Sequence, residues 1–470
     1  MNDVGAYDLV IVGGGSAAFS AAIKTSELGG RTLIVNKGLP IGGTCVNVGC
    51  VPSKTLIRAA EARHRAEEHR FDGIETTSCI ADFSAITAQA QSLVADLRQQ
   101  KYVAIVAADP DIQILEGRGR IIGPQTVEVH GRLITAKNIL VATGARTFLP
   151  DIPGLSYVGY LTNETAYTLS ERPDHLIVLG GRYIALENAQ MFARFGSRVT
   201  VLQRSARIIP DESADLSDAL NGYLSEEGID IRTGVTLESI TEHDGKIVVE
   251  ATIDNQQVTF SGSHLLVATG RRGNTEDLGL PALGVETDRR GYLDVDAELR
   301  TSVPSIFGAG DVLGKNQFVY TAAYEGSLAA RNALEGSSNE TDYTVLPWVV
   351  FTDPQVAGVG LDEAQAEAAG IDYEVSKLDL DQVPRSIAAR DTRGFVKLIR
   401  DRSTDHLIGA RILAPEGSEL LMELSLAMKY GITVKDLATS FHPYLTLGEA
   451  VKLAAITFGK DVKKLSCCAA

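Results

Sequence analysis

The architecture of the chain follows from one run, Tyr7-Asp-Leu-Val-Ile-Val-Gly13-Gly14-Gly15-Ser-Ala-Ala18. An apolar segment of strand length leads into three glycines, and a helical pattern follows to Leu28. Strand, glycine-rich turn and helix in this order predict a dinucleotide-binding unit with the pattern G-x-G-x-x-A. The glycines let a pyrophosphate approach the backbone, and the helix N-terminus attracts its negative charge.

The next strand, residues 31–35, ends at Asn36. The dinucleotide pattern expects Asp or Glu at this place, where a carboxylate accepts the ribose hydroxyls. An amide can still form a hydrogen bond with a ribose, but without charge. We therefore predict a ribose contact at Asn36 that is weaker than the usual one.

The same pattern occurs a second time at residues 175–185, where an apolar strand leads into Gly180-Gly181-Arg182 and a helix. Each copy also has an apolar strand that ends in Ala-Thr-Gly, at residues 138–144 and 264–270. Two copies predict two nucleotide-binding domains. Pro150 and Pro153 mark the boundary that precedes the second domain.

The second copy differs from the pattern in its charged residues. Arg182 replaces a glycine, where it adds either bulk or a positive partner for the pyrophosphate. Its second strand ends at Gln203-Arg204, with Arg207 close by and no carboxylate. Two arginines favour a 2′-phosphate and hence NADPH over NADH. The alternative is that they are ordinary surface charges.

Between the two copies lies the run Gly42-Gly-Thr-Cys45-Val-Asn-Val-Gly-Cys50-Val-Pro-Ser-Lys54, ahead of a helical region at residues 53–70. A helix N-terminus lowers the pKa of a thiol and favours the thiolate. A thiolate acts as a nucleophile, as an electron donor to a neighbouring ring, or as a ligand of a soft metal. The alternative is a pair of buried structural cysteines.

Composition and charge limit the possible functions. A chain of 470 residues predicts about two to four domains. A net charge of −16 argues against nucleic acid and against an anionic membrane surface as partners. Five cysteines without a secreted framework, no cleavable leader and no apolar run of membrane-spanning length predict a cytoplasmic protein.

The remaining chain predicts a return to the first domain and then a third domain. Residues 112–129 alternate like antiparallel strands, and Gly308-Ala309-Gly310-Asp311 offers a carboxylate for a polyol hydroxyl. From residue 341, strands at 349–351, 375–380, 395–400 and 407–413 and helices near 362–369 and 418–430 predict an α+β association domain. The segment 447–458 is amphipathic, and the tail contains Cys467-Cys468.

Together these motifs resemble the pyridine-nucleotide disulfide oxidoreductases of the glutathione reductase and lipoamide dehydrogenase type, over essentially the whole chain. The resemblance implies the fold class α/β, with two Rossmann-like domains for FAD and NADPH and a C-terminal α+β dimerisation domain. The expected boundaries are residues 1–150 and 275–340 for FAD, 151–274 for NAD(P)H, and 341–470 for dimerisation.

Within this family, two regions resemble the mercuric reductases: Gln317-Phe-Val-Tyr320, and Pro443-Tyr444-Leu-Thr with Glu449 and the terminal Cys467-Cys468. The disulfide reductases carry an acid/base His before the equivalent Glu. Aligned on Glu449, that position holds Tyr444, whereas His442 lies two residues too early and is expected to be a packing or surface residue. The N-terminal Cys-x-x-Cys domain of mercuric reductases is expected to be missing.

The resemblance also implies two sets of cofactor-binding residues. The FAD set is Gly13, Gly15, Ala18, Asn36, Gly43, Thr44, Lys54, Gly119, Thr143, Gly144, Asp311 and Val319. The NADPH set is Gly180, Gly181, Tyr183, Ile184, Glu187, Arg204, Arg207 and Gly270.

The implied activity is NADPH-dependent reduction of Hg(II) to Hg(0), with Hg(II)–thiol complexes as substrates. Cys50 would be the charge-transfer thiolate against the flavin, and Cys45 the more accessible interchange thiol. Soft thiolates suit Hg(II), so Cys467 and Cys468 would collect the ion and pass it to Cys45 and Cys50 of the other subunit of a homodimer.

Four further side chains complete the implied catalytic set. Tyr183 would cover the flavin until NADPH displaces it, and Tyr183 and Tyr444 would flank the metal. Lys54 and Glu187 would pair beside the flavin. Two other functions stay open: a lipoamide- or glutathione-type disulfide reductase of the same fold, and a flavoprotein that binds Hg(II) without turnover.

Overall fold

The computed structural model describes residues 7–68 and 70–461, and in these ranges the strands form five sheets. The strands are β1 (Tyr7–Val12), β2 (Thr32–Asn36), β3 (Ile112–Glu116), β4 (Gly119–Gly123), β5 (Thr126–Val129), β6 (Arg132–Val141), β7 (Ala145–Thr147), β8 (His175–Leu179), β9 (Arg198–Leu202), β10 (Asp230–Arg232), β11 (Thr236–His243), β12 (Lys246–Ile253), β13 (Gln256–Gly262), β14 (His264–Val267), β15 (Arg271–Gly273), β16 (Ile306–Gly308), β17 (Trp348–Val350), β18 (Gln355–Gly360), β19 (Tyr373–Asp379), β20 (Phe395–Asp401) and β21 (Leu407–Ala414).

Helices cover these sheets and connect their strands. The α-helices are α1 (Ser16–Glu27), α2 (Gly43–Val48), α3 (Cys50–Glu67), α4 (Phe83–Arg98), α5 (Ala104–Ala108), α6 (Asn163–Ala166), α7 (Tyr183–Arg194), α8 (Ala214–Glu226), α9 (Val319–Glu335), α10 (Glu363–Ala368), α11 (Pro384–Ala388), α12 (Leu421–Lys429), α13 (Val434–Thr439) and α14 (Glu449–Ile456). A π-helical segment, Gln99–Val103, joins α4 to α5. Of the helices in the described ranges, none has the length and apolar character needed to cross a membrane.

The first sheet has a parallel core in the order β3-β2-β1-β6, with β16 also parallel to β6. Its central strand β1 is buried on both faces, as the apolar sequence of a parallel strand predicts. The expectation of antiparallel strands throughout residues 112–129 was wrong for β3, which pairs in parallel with β2. As an edge strand, β3 is only partly covered, and this produces the alternating pattern.

The second parallel sheet has the order β10-β9-β8-β14, and the antiparallel sheet β11-β12-β13 lies beside it in sequence. Two parallel nucleotide-binding sheets and a separate C-terminal domain confirm the predicted fold class. The predicted boundaries between the domains stay predictions.

In both nucleotide-binding units, the glycine-rich turn packs closely against the end of the strand that leads into Ala-Thr-Gly. A Cβ atom on Gly13 would lie 2.1 Å from the Ala142 carbonyl oxygen, and one on Gly180 would lie 2.4 Å from that of Ala268. Both glycines have positive φ angles, 121° and 114°. The paired motifs of the sequence therefore reflect one steric requirement, which is met twice.

The C-terminal domain is a five-stranded antiparallel sheet in the order β17-β18-β21-β20-β19, packed against α12 and α14. Strand β18 and helix α13 were not predicted. In β18, Gly358 and Gly360 interrupt the strand pattern, because neighbouring side chains occupy the space where a Cβ atom would lie. We call this unit the interface domain.

A buried ion cluster joins the second nucleotide-binding unit to the interface domain. Arg194 on α7 pairs with Glu227 at 2.6 Å and with Asp353 at 3.0 Å, and Arg393 pairs with Asp353 at 3.1 Å. Burial opposes ionisation of Asp353, but the charges of Arg393 and Arg194 hold its pKa below the usual value. The side chains of Arg194 and Glu227 are only 5% and 9% exposed.

Removing Glu227 should destabilise the fold, because the buried Arg194 then keeps Asp353 but loses its shorter ion pair. We expect Glu227→Ala to lower the midpoint of thermal unfolding by about 3–5 °C. The matched control is Asp372→Ala, which removes the exposed ion pair with Arg402 and should shift the midpoint by less than about 1 °C. Equal shifts in the two variants would contradict this role of the cluster.

Candidate active site

The two cysteines lie on consecutive helices that meet at Gly49. Cys45 is part of the short helix α2, and Cys50 is the first residue of the 18-residue helix α3. Helix α3 begins three residues before the predicted start at residue 53. Of the two cysteines, only Cys50 lies in its first turn. Gly49 allows this close connection, because a Cβ atom there would lie 2.9 Å from the Thr44 carbonyl oxygen.

The pKa values of the two thiols are shifted in opposite directions. The hydrogen bond with Cys45 lowers the pKa of Cys50 to about 7, and the positive charge of Lys54 adds to this effect although burial opposes it. The same hydrogen bond, together with burial, raises the pKa of Cys45. Cys50 is therefore the thiol of the reduced pair that ionises first, and the Cys45 thiol stabilises the resulting thiolate.

Of the two active-site cysteines, Cys50 is the more exposed residue, whereas Cys45 is half-buried. The resemblance implied the reverse order of accessibility. That order requires a cofactor that covers Cys50.

Lys54 and Glu187, which lie 133 residues apart in sequence, come together beside the cysteines. The Lys54 Nζ donates to Glu187 Oε2 at 2.7 Å, and the backbone N–H of Phe351 donates to Glu187 Oε1 at 2.9 Å. The ammonium also lies 4.5 Å from the centre of the Phe351 ring. One buried carboxylate thus connects α3, α7 and the interface domain.

The residues around the first glycine turn fit a dinucleotide pyrophosphate. A Cβ atom on Gly43 would lie 2.7 Å from the Gly15 Cα, so these two glycines form one closely packed backbone surface. Helix α1 begins at this surface without a side-chain cap or an acidic residue in its first turn. Among the described residues, the buried Thr143 Oγ1 has no hydrogen-bond partner.

Asn36 is buried at the end of β2, and its Nδ2 donates to the Leu39 carbonyl at 3.1 Å. The same amide lies 3.3 Å from both carboxylate oxygens of Glu116, which ends the neighbouring strand β3. A carboxylate therefore lies beside position 36, but it belongs to Glu116 on the neighbouring strand. The sequence analysis missed Glu116 because strand pairing, not sequence distance, brings it there.

The Gly-Ala-Gly-Asp turn is held by a buried carboxylate that the sequence analysis also missed. Glu325 on α9 accepts hydrogen bonds from the Gly310 N–H at 2.6 Å and the Tyr343 hydroxyl at 2.7 Å. Asp311 lies 3.3 Å from Arg271, and burial raises the pKa of its carboxyl group.

The other members of the predicted FAD set lie on the same elements. Ala18 is buried on α1, Thr44 belongs to α2, Gly119 begins β4, Gly144 follows β6 with φ 69°, and Val319 begins α9.

The second glycine turn carries a charged pair. The Arg182 guanidinium binds the Asp211 carboxylate through both terminal nitrogens, and Arg182 is the residue that precedes α7. The Gly181 carbonyl accepts from the Ile209 N–H at 2.8 Å. This arrangement places segment 209–211 directly beside the turn.

The remaining residues of the predicted NADPH set surround this turn. Arg204 is exposed, and Arg207 is exposed and pairs with Asp218 at 3.2 Å. Ile184 lies in the first turn of α7, and Gly270 follows β14 with φ 122°.

The predicted C-terminal residues lie on the interface domain. Tyr444 is 49% exposed in the segment between α13 and α14. His442 is a packing residue in the structure, since its side chain is 8% exposed and lies 2.7 Å from Glu423 on α12. Cys467 and Cys468 lie outside the described residues.

Two family models match the chain. One, described as pyridine nucleotide-disulphide oxidoreductase, covers residues 7–326, and its dimerisation domain covers residues 346–455. The chain belongs to this family. It is therefore an oxidoreductase of the flavoprotein disulfide reductase type, as the resemblance implied.

Similar members of the pyridine nucleotide-disulphide oxidoreductases include several mercuric reductases. That of Staphylococcus aureus is 42% identical over all of this chain and 85% of its own length. That of Streptomyces lividans is 45% identical over 98% of both chains. Among solved structures, the Cu(II) complex of the HOCl-induced flavoprotein disulfide reductase RclA from Escherichia coli has a TM-score of 0.87 and 30% identity, over 97% of this chain and 100% of that one.

The acidity of Cys50 can be measured by following thiolate ultraviolet absorbance of the reduced holoenzyme against pH. We expect one thiolate to appear with an apparent pKa of about 7 and to be missing in Cys50→Ser. Cys45→Ala removes the hydrogen-bond donor and Lys54→Met removes the cation, so both should raise this pKa toward the ordinary thiol value of about 8.5. An unchanged pKa in both variants would show that neither group stabilises the thiolate.

Proposed function

We propose that this enzyme reduces Hg(II) to Hg(0) with NADPH. The observation that carries the proposal is the end-to-end similarity to proteins named mercuric reductase, at 40–45% identity in seven cases. In this reaction NADPH gives up a hydride, whose two electrons reduce Hg(II). The products are NADP+, Hg(0) and a proton, so atoms and electrons balance.

The cysteine pair supplies the ligands for the metal substrate. Thiolate sulfur is the preferred donor of soft metals, and a low pKa at Cys50 provides it at neutral pH. When Cys45 binds the metal it loses its own proton, and both sulfurs then hold the ion. Lys54 favours this anionic state through its positive charge.

The residues around Gly13, Gly15 and Gly43 would hold FAD, with Thr143 and Asp311 as further polar contacts. When bound, FAD would supply a redox centre that accepts the hydride of NADPH and passes the electron pair to the Hg(II) held by the two sulfurs. The protein provides the closely packed glycines, the uncapped N-terminus of α1 and the Lys54–Glu187 pair, which fix the position of the group.

The arginines after β9 favour NADPH as the reductant. Arg204 is exposed and forms no ion pair within the described part of the chain, so its guanidinium can meet a 2′-phosphate. Arg207 forms an ion pair with Asp218. This pair is exposed and therefore weak, so a phosphate can replace the carboxylate.

The active site is proposed to be completed in a homodimer. The interface domain exposes an apolar surface, which is typical of an interaction site, and it includes Tyr444. The other exposed apolar residues of this surface are Met422, Leu426, Tyr430, Phe441 and Leu445. In the proposed dimer, Tyr444 and the tail cysteines Cys467 and Cys468 act on the Cys45–Cys50 pair of the other subunit. We place the enzyme in the cytoplasm, where thiols stay reduced.

A second candidate function is disulfide reduction, and the structural likeness to the flavoprotein disulfide reductase RclA favours it. Tyr444 argues against this alternative, because a phenol replaces the imidazole that protonates a departing thiolate. His442 does not replace it, since it is paired with Glu423.

Substrate choice can be decided with the purified holoenzyme. We expect NADPH oxidation to be fast with Hg(II) and excess thiol, to release volatile mercury, and to be slow with lipoamide or glutathione disulfide. NADPH should be preferred to NADH, and Cys50→Ala should abolish turnover. A preference for a disulfide would overturn the proposal, and stoichiometric Hg(II) binding without NADPH consumption would indicate a binding protein instead.

The role of the tail can be tested with the double variant Cys467→Ala, Cys468→Ala. We expect slower reduction from bulky Hg(II)–thiol complexes, because the ion must then reach Cys45 and Cys50 without intermediate ligands. Thiolate acidity at Cys50 should not change, which provides the internal control. Unaltered rates with every thiol complex would rule out delivery by the tail.

A further inference from the structure

One row of side chains crosses the interface-domain sheet and contacts the second nucleotide-binding unit. Strand pairing places its members directly opposite one another in the order Trp348, Gly358, Arg411, Lys397 and Lys377. Opposite residues in antiparallel strands project from the same face. The row therefore presents one indole and three cations together.

Two cations of this row hold the segment that leads from β9 into the start of α8. Arg411 Nε donates to Glu212 Oε2 at 2.6 Å, and Lys397 Nζ donates to Asp215 Oδ1 at 2.9 Å and to Ser213 Oγ at 3.0 Å. Both cationic side chains are only 2% exposed. Because a buried cation requires its anion, segment 212–215 is fixed against the interface domain.

Trp348 ends the row and stacks on Tyr183. The two ring centres lie 5.7 Å apart with an interplanar angle of 9°. The indole lies over Gly358, where a Cβ atom would come within 2.5 Å of it, and the Arg411 guanidinium carbon lies 5.6 Å from its centre. Three contacts thus fix the orientation of the indole, and Gly358 provides the space for it.

The Tyr183 ring contacts this row through its stack on Trp348. The charged groups that act on its hydroxyl are Glu212, Asp211, Arg182 and Arg411, and burial raises its pKa to about 12. These groups belong to the second nucleotide unit and the interface domain. The stack with Trp348 therefore packs the ring of a second-unit residue against the interface domain.

We propose that Trp348 is a positioning residue of the NADPH site, which holds Tyr183 in the orientation that leaves the site open to the nicotinamide nucleotide. The inference rests on the proposed role of Tyr183 as the side chain that NADPH must displace. Since apparent affinity falls in proportion to the population of the competent conformation, Trp348 increases nucleotide affinity without touching the nucleotide.

The test is a double-mutant cycle read by calorimetric titration of the holoenzyme with NADP+. Trp348→Ala should raise the Kd for NADP+ about twofold to tenfold, the range that corresponds to aromatic pair energies. In the Tyr183→Ala background the same change should have no further effect. Trp348→Phe, which keeps a ring, should behave like the wild type, and Gly358→Ala should resemble Trp348→Ala because it displaces the indole.

Two outcomes would overturn the inference: an unchanged or lower Kd in Trp348→Ala, or an equal loss of affinity in both backgrounds. A second readout uses the single tryptophan of the chain, whose emission should change when Tyr183→Ala removes its stacking partner. The titrations contain no mercury, so they test this inference independently of the proposed reaction. The proposed reaction is tested by the Hg(II) assay.

Discussion

The site depends on one buried carboxylate. Glu187 binds the ammonium of Lys54 at 2.7 Å and the backbone N–H of Phe351 at 2.9 Å. Because Lys54 lies one helical turn after Cys50, this carboxylate links the position of the reactive thiolate to the second nucleotide unit and to the interface domain. A buried charge that requires two partners fixes three parts of the chain relative to one another.

The same principle joins the second nucleotide unit to the interface domain at two other places. Arg194 with Glu227 and Asp353 forms one buried cluster, and Arg411 with Glu212 is part of the other. Buried ion pairs contribute little net stability, but an incorrectly oriented domain would leave each charge unpaired. We infer that these clusters specify the orientation of the nucleotide unit, and that Trp348 uses this fixed frame to position Tyr183.

Most of the fold could be predicted because its signals are local. The fingerprint glycines, the Ala-Thr-Gly strands and the Cys45–Cys50 spacing each determine a turn or a helix start within a few residues. The error at β3 arose because partial burial at a sheet edge resembles antiparallel alternation. Glu116 and Glu325 were missed because pairing of distant segments brings them to the site, and neither belongs to a recognisable motif.

The sequence by itself determined the two nucleotide-binding units, the redox cysteine pair and the family, because glycine sterics and thiol chemistry act over short stretches. The resemblance implied a thiolate at Cys50, but only the tertiary structure gave the physical cause, since the pKa of Cys50 depends on Cys45 and Lys54 in space. The tertiary structure also decided that the row from Trp348 to Lys377 faces the nucleotide unit. Strand register, which no local pattern specifies, aligns those residues on one face.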